Sequence, residues 1–223
     1  MSRRNRVTPF GDIIATEARG LLFGNRGVLH DDSGRLVRTW QVRRWIACRL
    51  EFKGRRRELL RPGRFTELFF LDEATALAAG HRPCAECRRE DFLRFRHAWM
   101  EIHPGGSGKV DDIDRALHVE RIDEGGKKMH PAKLADLPDG SMICEGNRAW
   151  LVMHGALLAW SPFGYGERRT IPATATVLVL TPPSVIDVIR AGYDPSLHPT
   201  AARGLAASAP SAKRHHPRQP GGR

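Results

Sequence analysis

Between Asp72 and Cys87 the chain carries, in one run, a helix start, a forced helix stop and a pair of thiols, and the rest must fold around these. Asp72 is suited to the N-cap, because its carboxylate can accept from the free N–H groups of a first helical turn. Glu73 to Ala79 follow as helix formers, with Glu73 at the positive end of the helix dipole. Gly80 then ends the helix, since a residue without a Cβ takes the left-handed position after the C-cap at low cost. His81, Arg82 and the stiff Pro83 lead into Cys84-Ala85-Glu86-Cys87. Two intervening residues let both sulfurs meet one metal ion, which makes this turn half of a zinc site; the other readings of the pair are a site that has decayed to packing, or a redox pair. Behind it, Phe92, Phe95, Trp99 and Ile102 recur at helical spacing and predict a helix from Arg88 to about Glu101.

Residues 69–90, FFLDEATALAAGHRPCAECRRE, resemble the end of the metal-binding domain of bacterial Ada-type DNA alkylation repair regulators. That family has an aromatic pair, an Ala-rich helix, "AAGFRPC", a second cysteine two residues on and a basic continuation. It places four cysteines on zinc, and one of the first pair accepts methyl groups from DNA phosphotriesters. The resemblance therefore implies zinc at Cys84 and Cys87, and DNA as the partner. The first pair is not reproduced, because upstream there is only Cys48, with Phe52 four residues on. Methyl-acceptor activity is accordingly not expected.

The residues offer further ligands. Ile46, Cys48, Leu50 and Phe52 alternate with Ala47, Arg49, Glu51 and Lys53, as in a half-buried strand, and this puts the Cys48 sulfur on the inner face. Cys48 is the favoured third ligand, the other reading being a small buried hydrophobe. His81 is a candidate fourth ligand by its nearness in sequence, with His30 and His97 as further options. Cys144 lies on a predicted strand and reads as packing.

Charge is unevenly placed along the chain. Residues 1–110 hold 22 basic and 13 acidic residues, a balance of +9, against −3 for 111–195 and +5 for 196–223. Arg43, Arg44, Arg55, Arg56 and Arg57 crowd one segment with Trp40 and Trp45, and Arg88 and Arg89 follow the thiol pair. Such density suits phosphate contacts with aromatic stacking, although a solubilising surface explains the same letters.

The expected fold class is α+β: a small antiparallel sheet plus helices around the Cys-x-x-Cys turn, followed by a β-rich module. We expect an N-terminal arm over 1–18, a metal-binding module over 19–103 and a linker with a short helix over 104–136. A β-rich module with a closing helix then spans 137–196, and a disordered basic tail 197–223. Within the first module, Asp31-Asp32-Ser33-Gly34 predicts a hairpin joining 21–30 to 35–40, and 64–70 is a partner strand for 46–53. In the second, the apolar runs 142–145, 149–153 and 156–160 predict an antiparallel meander, joined by a strand over 175–180. Pro182 and Pro183 then open a helix that Gly192 stops. Trp160 to Tyr165 reads as an aromatic loop.

No run approaches the ~20 apolar residues of a membrane span, and the N-terminus has no apolar signal core, so a cytoplasmic protein is expected. Two function classes follow. The first is a zinc-containing nucleic-acid-binding protein, DNA being the expected partner. The second is a metal-dependent enzyme hydrolysing phosphodiesters, with either the region of His118, Glu120 and His130 or the cysteine cluster as its site. A structural zinc protein with no nucleic-acid role is the remaining alternative.

Overall fold

A computed structural model describes residues 2–54, 59–124 and 126–206. In chain order, β1 (Arg4–Val7), β2 (Ile13–Ala15), β3 (Leu22–Asn25), β4 (Ile46–Arg49) and β5 (Leu68–Phe70) lead to α1 (Glu73–Ala78). Then come β6 (Arg82–Pro83), α2 (Arg89–Ile102), α3 (Val110–Arg121) and the small hairpin β7 (Ile122–Asp123) with β8 (Gly126–Lys127). The second half holds β9 (His130–Lys133), β10 (Met142–Glu145), β11 (Arg148–Met153), β12 (Ala156–Ser161), β13 (Gly164–Arg169) and β14 (Thr176–Val179). Helices α4 (Pro183–Arg190) and α5 (Thr200–Ala206) close the described chain. The fold is α+β, with a mixed sheet ordered β2-β1-β5-β3-β4-β6 and an antiparallel one ordered β13-β12-β11-β10-β14-β9. No helix of the described residues is long and apolar enough to cross a membrane.

Helix α1 joins the two sheets, and its composition explains how. All six of its residues are buried, so no polar face is needed and small side chains let other elements approach closely. Ala74 and Ala78 pack with Met142, Leu151 and Leu158 of the antiparallel sheet. Ala76, with Ala79 just beyond the helix, packs with Val7, Ala47, Leu68 and Phe70 of the mixed sheet. Leu77 enters a third cluster with Phe95 and Trp99 of α2, Ile113 and Leu117 of α3, and Val185 and Val188 of α4. The core thus runs through the segment 104–136, where α3 buries Ile113 and Leu117.

Several expectations about local structure stand. Asp72 caps α1 by accepting from the Thr75 amide at 2.9 Å, and Gly80 takes a φ of +87° just past the helix end. The aromatic stripe holds together α2, and β10, β11 and β12 form the meander, with β14 antiparallel to β10. Others are corrected. Arg4–Val7 is a strand and not a loose arm, because Asn5 and Val7 face inward and β1 runs parallel to β5. The turn at Asp31 forms, yet it joins only one bridge, His30 to Leu36, and β3 pairs with β4 instead. Strand β5 pairs with β3 and β1 rather than with β4. Strand β4 lies between two neighbours and buries Ala47 as well as Cys48, so it is not half exposed. The residues after Ser161 form only a tight turn, and Gly164 and Tyr165 open the further strand β13. Thr200–Ala206 is helical against β12 and β13; the rest of the expected tail, 207–223, lies outside the described residues.

The start of α1 is held by two buried carboxylates. Asp72 also accepts from the Tyr165 hydroxyl at 2.8 Å and from the His198 amide at 3.0 Å. Glu73 accepts from the Ser196 amide at 3.0 Å and the Tyr193 hydroxyl, and pairs with Arg88 at 2.8 Å. Removing one partner of a buried pair leaves an uncompensated charge, which costs about 3–5 kcal/mol. Glu73→Ala should therefore lower unfolding stability in urea by that order, whereas the exposed ion-pair variant Arg148→Ala should change it by less than about 1 kcal/mol.

Candidate metal centre

The register of the mixed sheet gathers the sulfurs. Strand β6 runs parallel to β4, pairing Ile46 with Arg82 and Ala47 with Pro83, and the Cys84 amide donates to the Ala47 carbonyl at 2.9 Å. One step further along the same register, Cys84 comes alongside Cys48. The chain then turns, with the Arg88 amide donating to the Cys84 carbonyl at 3.1 Å, and this brings Cys87 back to the pair just before α2 begins. The sulfurs of Cys48, Cys84 and Cys87 all lie within 4.8 Å of one another. They are 5%, 8% and 7% exposed and pack with Phe23, with Ile46, Phe52 and Phe69 around them.

This donor set fits a metal ion. Tetrahedral bonds of about 2.3 Å put thiolate sulfurs about 3.8 Å apart on one zinc-sized centre, and the 4.8 Å bound on the sulfur separations here is compatible with that. Backbone amides complete the surroundings: those of Glu86 and Cys87 donate toward Cys84, and that of Arg49 toward Cys87. Hydrogen bonds from Cys48 and Cys87 hold Cys84 well below the usual thiol range and favour its thiolate. Cys48 is pushed far up by its hydrogen bonds with Cys84 and Cys87, and then by burial. For Cys87 the hydrogen bond with Cys48 lowers the pKa, but Cys84 and burial outweigh it and the net shift is upward. Without a cation these shifts favour the proton on Cys48 and Cys87 and the thiolate at Cys84. Among the described residues no other Cys, His, Asp or Glu joins the group.

His81 does not belong to it. In the extended run from His81 to Cys84, residues three apart point to opposite sides. The His81 ring instead packs against Phe70 at 4.6 Å and Trp45 at 5.2 Å, and its Nε2 accepts from Arg26 Nε at 3.3 Å. Burial first, then the charges of Arg26 and Arg121, hold its pKa well below the ordinary value, so it stays neutral. His97 is exposed on α2 beside Glu101, and His30 bonds Thr66, so neither reaches the sulfurs.

The expected phosphate-binding arginines divide. Arg43 and Arg44 are exposed and line a surface cleft with Asp111, Asp114 and Arg115. Arg89 is exposed at the start of α2. Arg88 is not available to phosphate, because it is buried between Glu73 and Asp91, at 2.8 Å from each. Arg55, Arg56 and Arg57 lie outside the described residues. The hydrolytic trio does not converge. Glu120 receives the Ser184 amide at 3.0 Å and the Ser184 hydroxyl, as a cap for α4, while His118 stacks edge-on against Trp40 at 4.6 Å. His130 sits on β9 opposite Val179.

Sequence reasoning missed the buried arginines. Arg82 makes a two-pronged pair with Asp114 at 2.9 and 2.8 Å, and Arg26 and Arg121 lie over the Trp45 ring at 4.2 and 3.9 Å. Only the fold reveals them: at Gly80, for instance, an added Cβ would fall 2.5 Å from the Arg121 side chain. Comparison with protein-family models, with curated proteins and with solved structures finds no match for this chain.

Because two of the thiols are held protonated, metal binding must displace about two protons. Log affinity should then rise by about 2 per pH unit around neutrality. A competition titration with a chromogenic chelator at several pH values reads this slope, and a flat profile would contradict the arrangement.

Proposed function

We propose that this chain is a zinc-binding, nucleic-acid-binding protein in which the metal site fixes a basic first half for contact with DNA. The observation that carries the reading is the convergence of Cys48, Cys84 and Cys87 on one buried point. Three thiolates favour a soft or borderline ion, and zinc imposes no geometry that this set resists. A multi-iron cluster needs its ligands spread more widely around several atoms. The likeness of residues 69–90 to the Ada-type module agrees with zinc at Cys84 and Cys87. Cys48, the one upstream thiol, is buried on a central strand, which supports a role without methyl transfer, since an acceptor thiolate must be reachable by the substrate.

Zinc here serves architecture. It ties β4 to the start of α2, and with them the exposed Arg43, Arg44, Arg49 and Arg89. The balance of +9 over residues 1–110 supports a polyanionic partner. The hydrolytic reading loses the first of its two sites, the His118 region, as Glu120 is committed to α4.

Purified protein should carry about one zinc per chain, and a Cys84→Ser, Cys87→Ser variant should carry none. Duplex DNA binding by fluorescence anisotropy should weaken linearly in log affinity against log salt, by about 0.9 per phosphate contacted. Replacing Arg43, Arg44 and Arg49 with Ala should flatten that slope by about 2–3 without changing base preference. Full zinc loading with no DNA binding at about 50 mM salt would leave a purely structural zinc protein.

A further inference from the structure

Beside the end of α1 at Ala79, three cationic side chains share a cavity of ≈ 310 Å³. Its walls come from the loop after β1, from Trp40 and Trp45, from the end of α3 and from the β7–β8 hairpin. Arg26 and Arg121, 2% and 1% exposed, and the half-buried Lys127 all line it.

These cations make no direct ion pair with a carboxylate among the described residues, which separates them from the other buried arginines; Asp12 and Asp114 act on Arg26 and Arg121 only from further off. Arg82 has Asp114 and Arg88 has Glu73. Arg26 instead donates to the Gly11 carbonyl at 2.9 Å and to neutral His81, and its Nη2 has no partner. Arg121 donates to the carbonyls of Gly80, at 2.9 Å, and of Arg43, and to His118 at 3.0 Å, while its Nε has none. Lys127 donates to the Ala78 carbonyl at the negative end of α1. Burying charge without a directly paired counter-charge is costly. The strain shows in burial pulling Arg26 and Arg121 down to about 9, and Lys127 to about 7 with help from the two arginines. Stacking of both guanidiniums on Trp45 offsets only part of it and holds their planes in place.

We propose that this cavity is a binding site for a small phosphate monoester carrying a planar ring, of the size and chemistry of a nucleoside monophosphate. A dianion suits a cluster of three cations, and guanidiniums match phosphate with two parallel donors. The volume exceeds what one inorganic anion fills, and Trp40, 38% exposed at the lining, offers a face for a ring. Carboxylates of Asp12, Asp123 and Glu124 also line the cavity and are exposed. They suit sugar hydroxyls or ring amino groups and disfavour a long polyanion, so the ligand is a free nucleotide and not the end of a strand. The site is separate from the thiol cluster and does not rest on zinc binding.

The test is calorimetric titration of the full chain with adenosine 5′-monophosphate, inorganic phosphate, adenosine, and a 5′-phosphorylated oligonucleotide. The monophosphate should bind saturably, tighter than phosphate by at least about tenfold, and adenosine should not compete. Lys127→Met and Arg26→Met should each weaken the monophosphate by about tenfold or more. Trp40→Ala should weaken it while leaving inorganic phosphate unchanged. Lys127→Met keeps the volume of a half-buried side chain and so remains informative if Arg26→Met fails to fold. Failure of the monophosphate to bind, equal binding of adenosine, or indifference to Lys127→Met would overturn the site. Tighter binding of the phosphorylated oligonucleotide would overturn the assignment to a free nucleotide.

Discussion

The first turn of α1 sits in the interior with two carboxylates at its positive end, and most of the molecule depends on how these are satisfied. Asp72 reaches Thr75 within the helix, Tyr165 on β13 and the His198 amide near the chain's end. Glu73 takes Tyr193 and Ser196 from the segment after α4, and Arg88 from the turn that follows the thiols. A helix N-terminus favours negative charge, but here the carboxylates are also removed from water, and burial raises the pKa of Asp72. Their hydrogen bonds are therefore required of the fold, and they bind together elements more than a hundred residues apart in sequence.

That requirement also places the functional features. Gly80 stops α1 and leaves room for the Arg121 side chain; His81 turns into the mixed sheet toward Arg26; Arg82 closes on Asp114; Cys84 meets Cys48. Alternate residues of a short extended run thus serve the cation cavity on one side and the thiol cluster on the other. Arg88 then carries the thiol turn back to Glu73. A metal at the cysteines would stiffen the same stretch that shapes the cavity wall, because β6 links them.

What was readable in the sequence was local. The N-cap and glycine stop of α1, the stripe of α2, the meander and the inward face of Cys48 all follow from spacing within a dozen residues. The parallel pairing of β6 with β4 was not readable, since two residues leave no periodicity. Nor was the inclusion of Arg4–Val7 in the sheet, whose arginines resemble those of a solvated arm. Buried arginines were the largest blind spot. Arg26, Arg82, Arg88 and Arg121 look like surface charge until their partners, up to 78 residues away for Arg121 and the Arg43 carbonyl, are brought together by the fold. His81 misled for the opposite reason: closeness in sequence to Cys84 counts for nothing when alternation turns it to the other side.

The central claim is that three thiolates from β4 and the turn after β6 hold one metal ion. X-ray absorption at the zinc edge on the metal-loaded chain tests it most directly. Three sulfur neighbours at about 2.3 Å are expected, falling to two in Cys48→Ser. A shell of nitrogen and oxygen alone, or a spectrum unchanged by Cys48→Ser, would contradict the account.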